Sequence, residues 1–255
     1  MQEQIIKNIH IVLVATTHPG NIGASARAMK TMGIEHLALV APRIYPDAEV
    51  TARAAGADDI LMSSTVHESL SDAVINSNLV LATSARDRSI NWPVLSPQQA
   101  AAKIIGAARQ GAKVALVFGR ENSGLSNEEL ELCNAMIRIP ANPHYSSLNL
   151  ASAVQILCYE LRKALLNEDE EKQQSGETVA LANNEQMNML YEHLQAFTTE
   201  IGFFDPEKPR LLMRRLKRLF NRAQLDVNEY NILRGILAAA QARTSKHEDQ
   251  ESVRE

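Results

Sequence analysis

The stretch Val114-Ala-Leu-Val-Phe-Gly-Arg-Glu-Asn-Ser-Gly-Leu125 begins as an uninterrupted apolar run and ends in a polar loop flanked by two glycines. A short run of Val, Leu and Phe without alternation is the pattern of a strand buried on both faces, as in a parallel sheet covered by helices. Four similar runs, Ile9 to Ala15, Leu37 to Val40, Leu79 to Ala82 and Met136 to Ile139, alternate with helical patterns at Ala24 to Met32, Val66 to Ile75 and Pro97 to Ala108. Gly33 stands where a helix C-cap belongs, Ser126-x-x-Glu129 is a capping box, and Leu148 to Leu166 makes a long helix. This β-α-β rhythm predicts an α/β domain over residues 1–166, a parallel sheet with helices on both faces.

Two other strand ends resemble that loop. Asn21-Ile-Gly-Ala-Ser-Ala-Arg27 follows the first strand, and Ile139-Pro-Ala-Asn-Pro-His-Tyr-Ser-Ser-Leu-Asn149 follows the last. Loops at the C-terminal edge of a parallel sheet build ligand sites, so the three predict one composite pocket. The first lacks G-x-G-x-x-G and is not followed by G-K-[ST], which argues against a dinucleotide or nucleoside triphosphate site. It offers the Asn21 amide and, about one and a half turns into a helix, the Arg27 guanidinium, a group suited to a bidentate grip on phosphate. In the second loop Gly119 and Gly124 allow close backbone approach, and Glu121 can accept from an amine or a hydroxyl. Ser146, Ser147 and Asn149 in the third precede a long helix, where they can cap it or bind a polar ligand.

Composition limits what such a pocket serves. The chain has 255 residues, 45% hydrophobic and 22% charged, enough for one α/β core and a small accessory domain. No apolar run approaches the roughly 18 residues of a membrane span, and Glu3, Lys7 and His10 around Ile5 and Ile6 do not make a secretion signal, so the expectation is a cytoplasmic protein. Cys133 and Cys158 have no partners at metal spacing and read as buried free thiols; no metal is expected. A net charge of −4 argues against a wholly basic nucleic-acid coat, though not against a local basic face.

Residues 167–184, with Glu168-Asp-Glu-Glu171, are too polar for a core and read as an acidic flexible linker. Residues 185–243 then read as a small all-α domain. Met187, Leu190, Leu194, Phe197 and Ile201 mark one helix, Leu211 to Phe220 a second, and Ile232 to Ala240 a third, with a disordered tail at 244–255. Projected at about 100° per residue, the second helix gathers Arg210, Arg214, Arg215, Lys217, Arg218 and Arg222 on one side, opposite Leu212, Met213, Leu216, Leu219 and Phe220. Solvated faces usually mix signs, so a single-signed stripe in an acidic protein predicts a phosphate-binding surface and a nucleic-acid partner; few aromatics accompany it, so base stacking is not the expected mode.

Together the N-x-G-x-x-x-R, F-G-x-E-x-x-G-L and I-P-x(6)-S-L-N elements resemble, in order and approximate spacing, the three signature motifs of the SPOUT superfamily of S-adenosylmethionine-dependent RNA methyltransferases. The wider wording, Ala28-Met-Lys-Thr-Met-Gly33, Thr83-Ser-Ala-Arg86, Trp92-Pro93 and Asn231-Ile-Leu-Arg-Gly-Ile-Leu237, is similar to the bacterial TrmJ branch. The resemblance implies 2′-O-methylation of cytidine or uridine at position 32 of the tRNA anticodon loop, a trefoil knot at the C-terminal part of the α/β domain, and a homodimer. It also implies a cofactor site at Thr83, Ser84 and Ala85, at Gly119, Glu121 and Gly124, and at Ile139, Pro140, Ser146, Ser147 and Leu148. Catalysis would fall to Arg27, helped by Asn21, Ser147 and Asn149. A guanidinium rarely gives up its proton, so Arg27 reads better as a phosphate clamp and alkoxide stabiliser than as a general base. Methylation of ribosomal RNA and RNA binding without catalysis are the competing readings.

Overall fold

The structure is a computed structural model that describes residues 2–85, 92–167, 179–208 and 211–251. The chain divides into two compact units, Met1–Thr178 and Val179–Glu255. Arg86 and Arg210 lie outside the described residues.

The first unit is built on a seven-stranded sheet: β1 (Ile9–Val14), β2 (His36–Val40), β3 (Thr65–His67), β4 (Leu79–Thr83), β5 (Val94–Leu95), β6 (Val114–Phe118) and β7 (Ala135–Ile137), in the order β3-β2-β1-β6-β4-β7-β5 with every pairing parallel. Its central strands are buried on both faces. Ile9, Ile11, Leu13, Leu79, Leu81, Leu116 and Phe118 point into one core, while Val12, Val14, Val80, Ala82, Ala115 and Val117 point into another. This explains the unalternated apolar runs in the sequence. Because β1, β6, β4 and β7 are neighbours in the sheet, four segments far apart in the chain end side by side at one edge.

Helix α2 (Pro19–Met32) starts five residues earlier than the apolar periodicity suggests, with Pro19 at its first turn, so Asn21 and Gly23 are helical rather than part of a loop. Gly23 owes its identity to packing. A Cβ there would collide with the backbone of Val50 and Ala54, on α3 (Ala48–Ala54), which lies against α2. The helix expected over Val66 to Ile75 is instead the edge strand β3 followed by α5 (Leu70–Val74), capped by the Ser69 hydroxyl. Val66, Leu70 and Val74 match a helical spacing by chance: Val66 is 57% exposed, and its segment pairs with β2. The short, polar α1 (Gln2–Ile6), α3 and α4 (Asp58–Met62) carried too little periodicity to be legible. Helices α6 (Pro97–Arg109), α7 (Asn127–Glu131) and α8 (Leu150–Asn167) complete the unit.

The second unit contains α9 (Asn184–Glu200), α10 (Leu212–Ala223) and α11 (Val227–Glu251). Residues 179–183, at the end of the stretch read as a linker, belong to it structurally. The Ala182 N–H donates to Leu225, the Val227 N–H donates to Ala180, and Asn183 with Gln186 closes a capping box on α9. Helix α11 continues past residue 243, where the sequence reading ends the domain.

Helix α10 is turned from its expected orientation. Its one fully buried residue is Asn221, whose side-chain oxygen accepts from the Tyr191 hydroxyl, and Lys217 lies 5.8 Å from the Tyr191 ring centroid. This polar anchor rotates the helix. Leu219, expected inside, is 45% exposed, while Arg214, Lys217 and Arg218 are half-buried and Arg215 and Arg222 are exposed.

Candidate active site

At the sheet edge a cleft forms where the ends of β4, β6 and β7 meet the start of α8. Thr83, Ser84 and Ala85 line one side, Phe118 to Gly124 another, and Ile137, Ile139, Ser146, Ser147, Leu148, Leu150 and Ala153 the rest. Ten of the eleven positions expected to hold a cofactor are on these walls. Pro140 is the exception: it is exposed and does not reach the cleft.

The glycines of the second loop shape the wall. Arg120 and Gly124 exchange backbone hydrogen bonds, at 3.2 and 2.9 Å, and Gly124 takes a φ of 70°, which glycine adopts without strain. A Cβ on Gly119 would run into the backbone of Gly124 and Leu125. The Arg120 side chain locks the loop from below through a bidentate pair with Glu129, 2.8 and 2.9 Å, and Glu129 in turn accepts from the Ser126 N–H. Its contact with Glu129 raises the Arg120 affinity for its proton.

Glu121 does not present its carboxylate as an open acceptor, as its position suggested. One oxygen accepts from the Thr17 N–H (3.1 Å) and hydroxyl (2.8 Å), and the other from the Asn21 amide (2.8 Å) and the His18 N–H (3.4 Å). Burial pushes the Glu121 carboxyl up, but the hydrogen bonds from Asn21 and Thr17 outweigh it and hold the group below the usual range. Asn21 then accepts from Asn149 at 3.0 Å, and Asn149 accepts from the Ala151 N–H at the start of α8. A continuous chain therefore runs Thr17–Glu121–Asn21–Asn149 and ties the three sequence motifs together. Thr17, four residues before the first motif, carried no sequence signal of its own.

A second, shallower groove opens between α2 and α8. It is lined by Ala24, Arg27, Ala28 and Thr31 on one side and by Asn149, Ala151, Ser152, Gln155 and Ile156 on the other. Arg27 is exposed there, and its guanidinium has no partner among the described residues. Asn149 lines this groove, while Ser147 and Leu148 line the cleft, so the third motif separates the two.

Elsewhere, Cys133 and Cys158 are buried free thiols, and burial pushes both up in pKa, Cys158 to about 12. Among the described residues no group of three or more His, Cys, Asp or Glu is placed to hold a metal, and no helix is long and apolar enough to cross a membrane.

Comparison with known proteins agrees with this geometry. Residues 8–159 match the SpoU rRNA Methylase family, and residues 185–250 match the C-terminal domain of tRNA methyltransferase TrmJ. A Pseudomonas aeruginosa (strain UCBPP-PA14) protein named tRNA (cytidine/uridine/adenosine-2′-O-)-methyltransferase TrmJ is 46% identical, over 93% of this chain and 95% of its own length. The crystal structure of TrmJ from Z. mobilis ZM4 superposes with a TM-score of 0.78 at 32% identity, over 91% of this chain and 98% of that one. The SpoU methyltransferase AviRb from Streptomyces viridochromogenes, solved in complex with AdoMet, shares the fold at 20% identity and a TM-score of 0.50, over 62% of this chain and 60% of that one. The two models match residues 8–159 and 185–250 in that order, and the chain belongs to the SpoU methylase family, in the branch that carries the TrmJ C-terminal domain.

Proposed function

We propose that this protein transfers the methyl group of S-adenosylmethionine to the ribose 2′-hydroxyl of a cytidine or uridine in tRNA, at position 32 of the anticodon loop. The observation that carries the reading is the junction at Asn149, where a cleft suited to a nucleoside meets a groove lined by the Arg27 guanidinium, which has no partner among the described residues. The cleft walls are apolar side chains, hydroxyls and backbone. Their two charged side chains are committed elsewhere, Arg120 to Glu129 and Glu121 to Thr17 and Asn21. Such walls fit a flat base and a ribose and offer nothing to a polyphosphate, which matches an adenosyl cofactor.

When bound, S-adenosylmethionine supplies an electrophilic methyl group. The chain's own residues do the rest. Arg27 grips a phosphate flanking the target ribose and stabilises the oxygen as its proton passes to solvent water, a task for a planar, permanently charged fork. Asn149, held through Asn21 by Glu121, and Ser147 at the cleft mouth orient the ribose. Positioning dominates, because a hydroxyl becomes an effective nucleophile only when aligned and deprotonated. The helical unit adds affinity for tRNA through its exposed Arg215 and Arg222, with Arg210, Arg214, Lys217 and Arg218 contributing where they reach phosphate. A knotted α/β unit and a homodimer acting in the cytoplasm belong to the same reading; the half-exposed apolar side chains of Tyr159 and Leu166 on α8 support a partner surface.

Ribose-methylation maps of total RNA from cells with and without the gene test this directly. Loss confined to tRNA position 32 is expected. Loss at another tRNA position, or in ribosomal RNA, would replace the substrate assignment.

A further inference from the structure

Helix α9 ends in a Schellman motif: the Gly202 N–H donates to the Thr199 carbonyl (3.0 Å), the Phe203 N–H donates to the Thr198 carbonyl (2.9 Å), and Gly202 takes the left-handed φ of 71°. In such a motif an apolar residue at the position of Phe203 ordinarily folds back onto the last helical turn. Here it does not. Phe203 is 69% exposed, while its neighbour Phe204, whose N–H also donates to Thr198, takes the inward place at 7% exposure. The Thr198 hydroxyl is itself tied to Leu194 at 2.7 Å, so the backbone that presents Phe203 is fixed at several points. An aromatic ring held outward on a rigid support has little ordering entropy left to lose on binding.

What it faces is set by charge. From Phe203 through Arg222 the sequence holds seven basic residues against two acidic ones, Asp205 and Glu207. Lys208 is five residues from Phe203, so at most about 18 Å of extended chain separates ring from cation. A π-face within a few residues, along the chain, of a basic helix suits stacking of an exposed nucleobase while cations track the backbone. We propose that Phe203 is a stacking platform for one unpaired base of the tRNA, at a site separate from the methylation centre. The inference rests on the reading above that the helical unit binds tRNA.

Stacking and phosphate contact leave different signatures. Stacking releases no counterions, so Phe203→Ala should weaken tRNA binding by roughly 5- to 100-fold while leaving the slope of log affinity against log salt unchanged. Phe203→Trp, which keeps a π-face, should bind within about twofold of the wild type, and Phe203→Leu should behave like the alanine variant. Binding of a fully paired RNA duplex should not respond to any of the three. Oligomeric state by light scattering and thermal midpoint should stay as in the wild type. Unchanged tRNA affinity in Phe203→Ala, an equal loss for the duplex, or a leucine variant as good as wild type would overturn the proposal. A variant that changes the oligomeric state would show that Phe203 meets a protein surface instead. Arg215→Gln with Arg222→Gln is the independent control. If that pair leaves the salt slope unchanged, the assignment of tRNA binding to the helical unit fails, whatever Phe203 does.

Discussion

The two units handle charge in opposite ways. Around the cleft of the first, ionised side chains find their partners within the protein: Arg120 is forked onto Glu129, and the Glu121 carboxylate takes four uncharged donors from Thr17, His18 and Asn21. Charges spent this way fix geometry, hold the glycine loop shut and align Asn149. In the second unit, Arg215 and Arg222 stand in solvent, where each can exchange its counterions for a phosphate. Internal pairing yields positional accuracy, and exposed charge yields long-range, sequence-tolerant attraction. A methyl transfer to a ribose in a large polyanion needs both. Arg27 combines them, since it lies on the accurate unit yet has no guanidinium partner among the described residues.

Arg27→Ala should therefore give the largest effect on the chemical side, a fall in methylation of at least about 100-fold with cofactor affinity changed no more than a few fold. Arg27→Lys retains charge without the planar fork and should also be severely impaired. A fully active lysine variant, measured by single-turnover methylation, would reduce the requirement to charge alone. Next in size, Gly23→Ala forces a methyl group into the backbone of Val50 and Ala54 and should lower the stability of the first unit by about 1–3 kcal/mol in thermal or urea denaturation, leaving the helical unit's transition in place.

Acid should separate the units more gently. His10 stacks on His36 across β1 and β2 with ring centroids 4.9 Å apart, and burial, with the charges of His36 and Lys113, lowers its pKa from 6.5 to about 4. Because the folded value lies below the unfolded one, His10 contributes stability that is complete above about pH 6.5 and is lost as pH falls towards 4. Glu121, also lowered, contributes above its ordinary value near 4.5 and loses that contribution on further acidification. The first unit should thus melt progressively earlier below pH 6.5. His10→Gln should remove most of the dependence between pH 6.5 and 4; an unchanged profile in that variant would place the acid sensitivity elsewhere.

The sheet was legible because its strands are buried on both sides: Val114 to Phe118 reads as a strand from its side chains alone. Much of the site was legible too, since ligand-binding loops need particular residue types, and three of them occur in order. Other features were hidden for physical reasons. Gly23 looks like a ligand-facing glycine but makes room for α3, a contact between segments whose meeting no local pattern encodes. Glu121 looks like an open acceptor until Thr17, over a hundred residues away, is seen to occupy it. The projection of α10 separated an apolar from a basic side, and Phe220 packs on the helical core as expected, but the buried pair Tyr191 with Asn221 shifts the inward face so that Leu219 is left exposed. Val66 shows the converse error, a helical spacing completed by a residue on an edge strand.

The division of labour between the units is tested most directly by single-turnover methylation of tRNA with the Arg215→Gln, Arg222→Gln double variant across a range of enzyme concentrations. The expected result is a higher concentration for half-maximal rate, a salt slope lowered by roughly 0.7 to 0.9 for each lost contact, and a maximal rate equal to the wild type. A maximal rate that stays depressed at saturation would show that the helical unit takes part in the chemical step and would contradict the account.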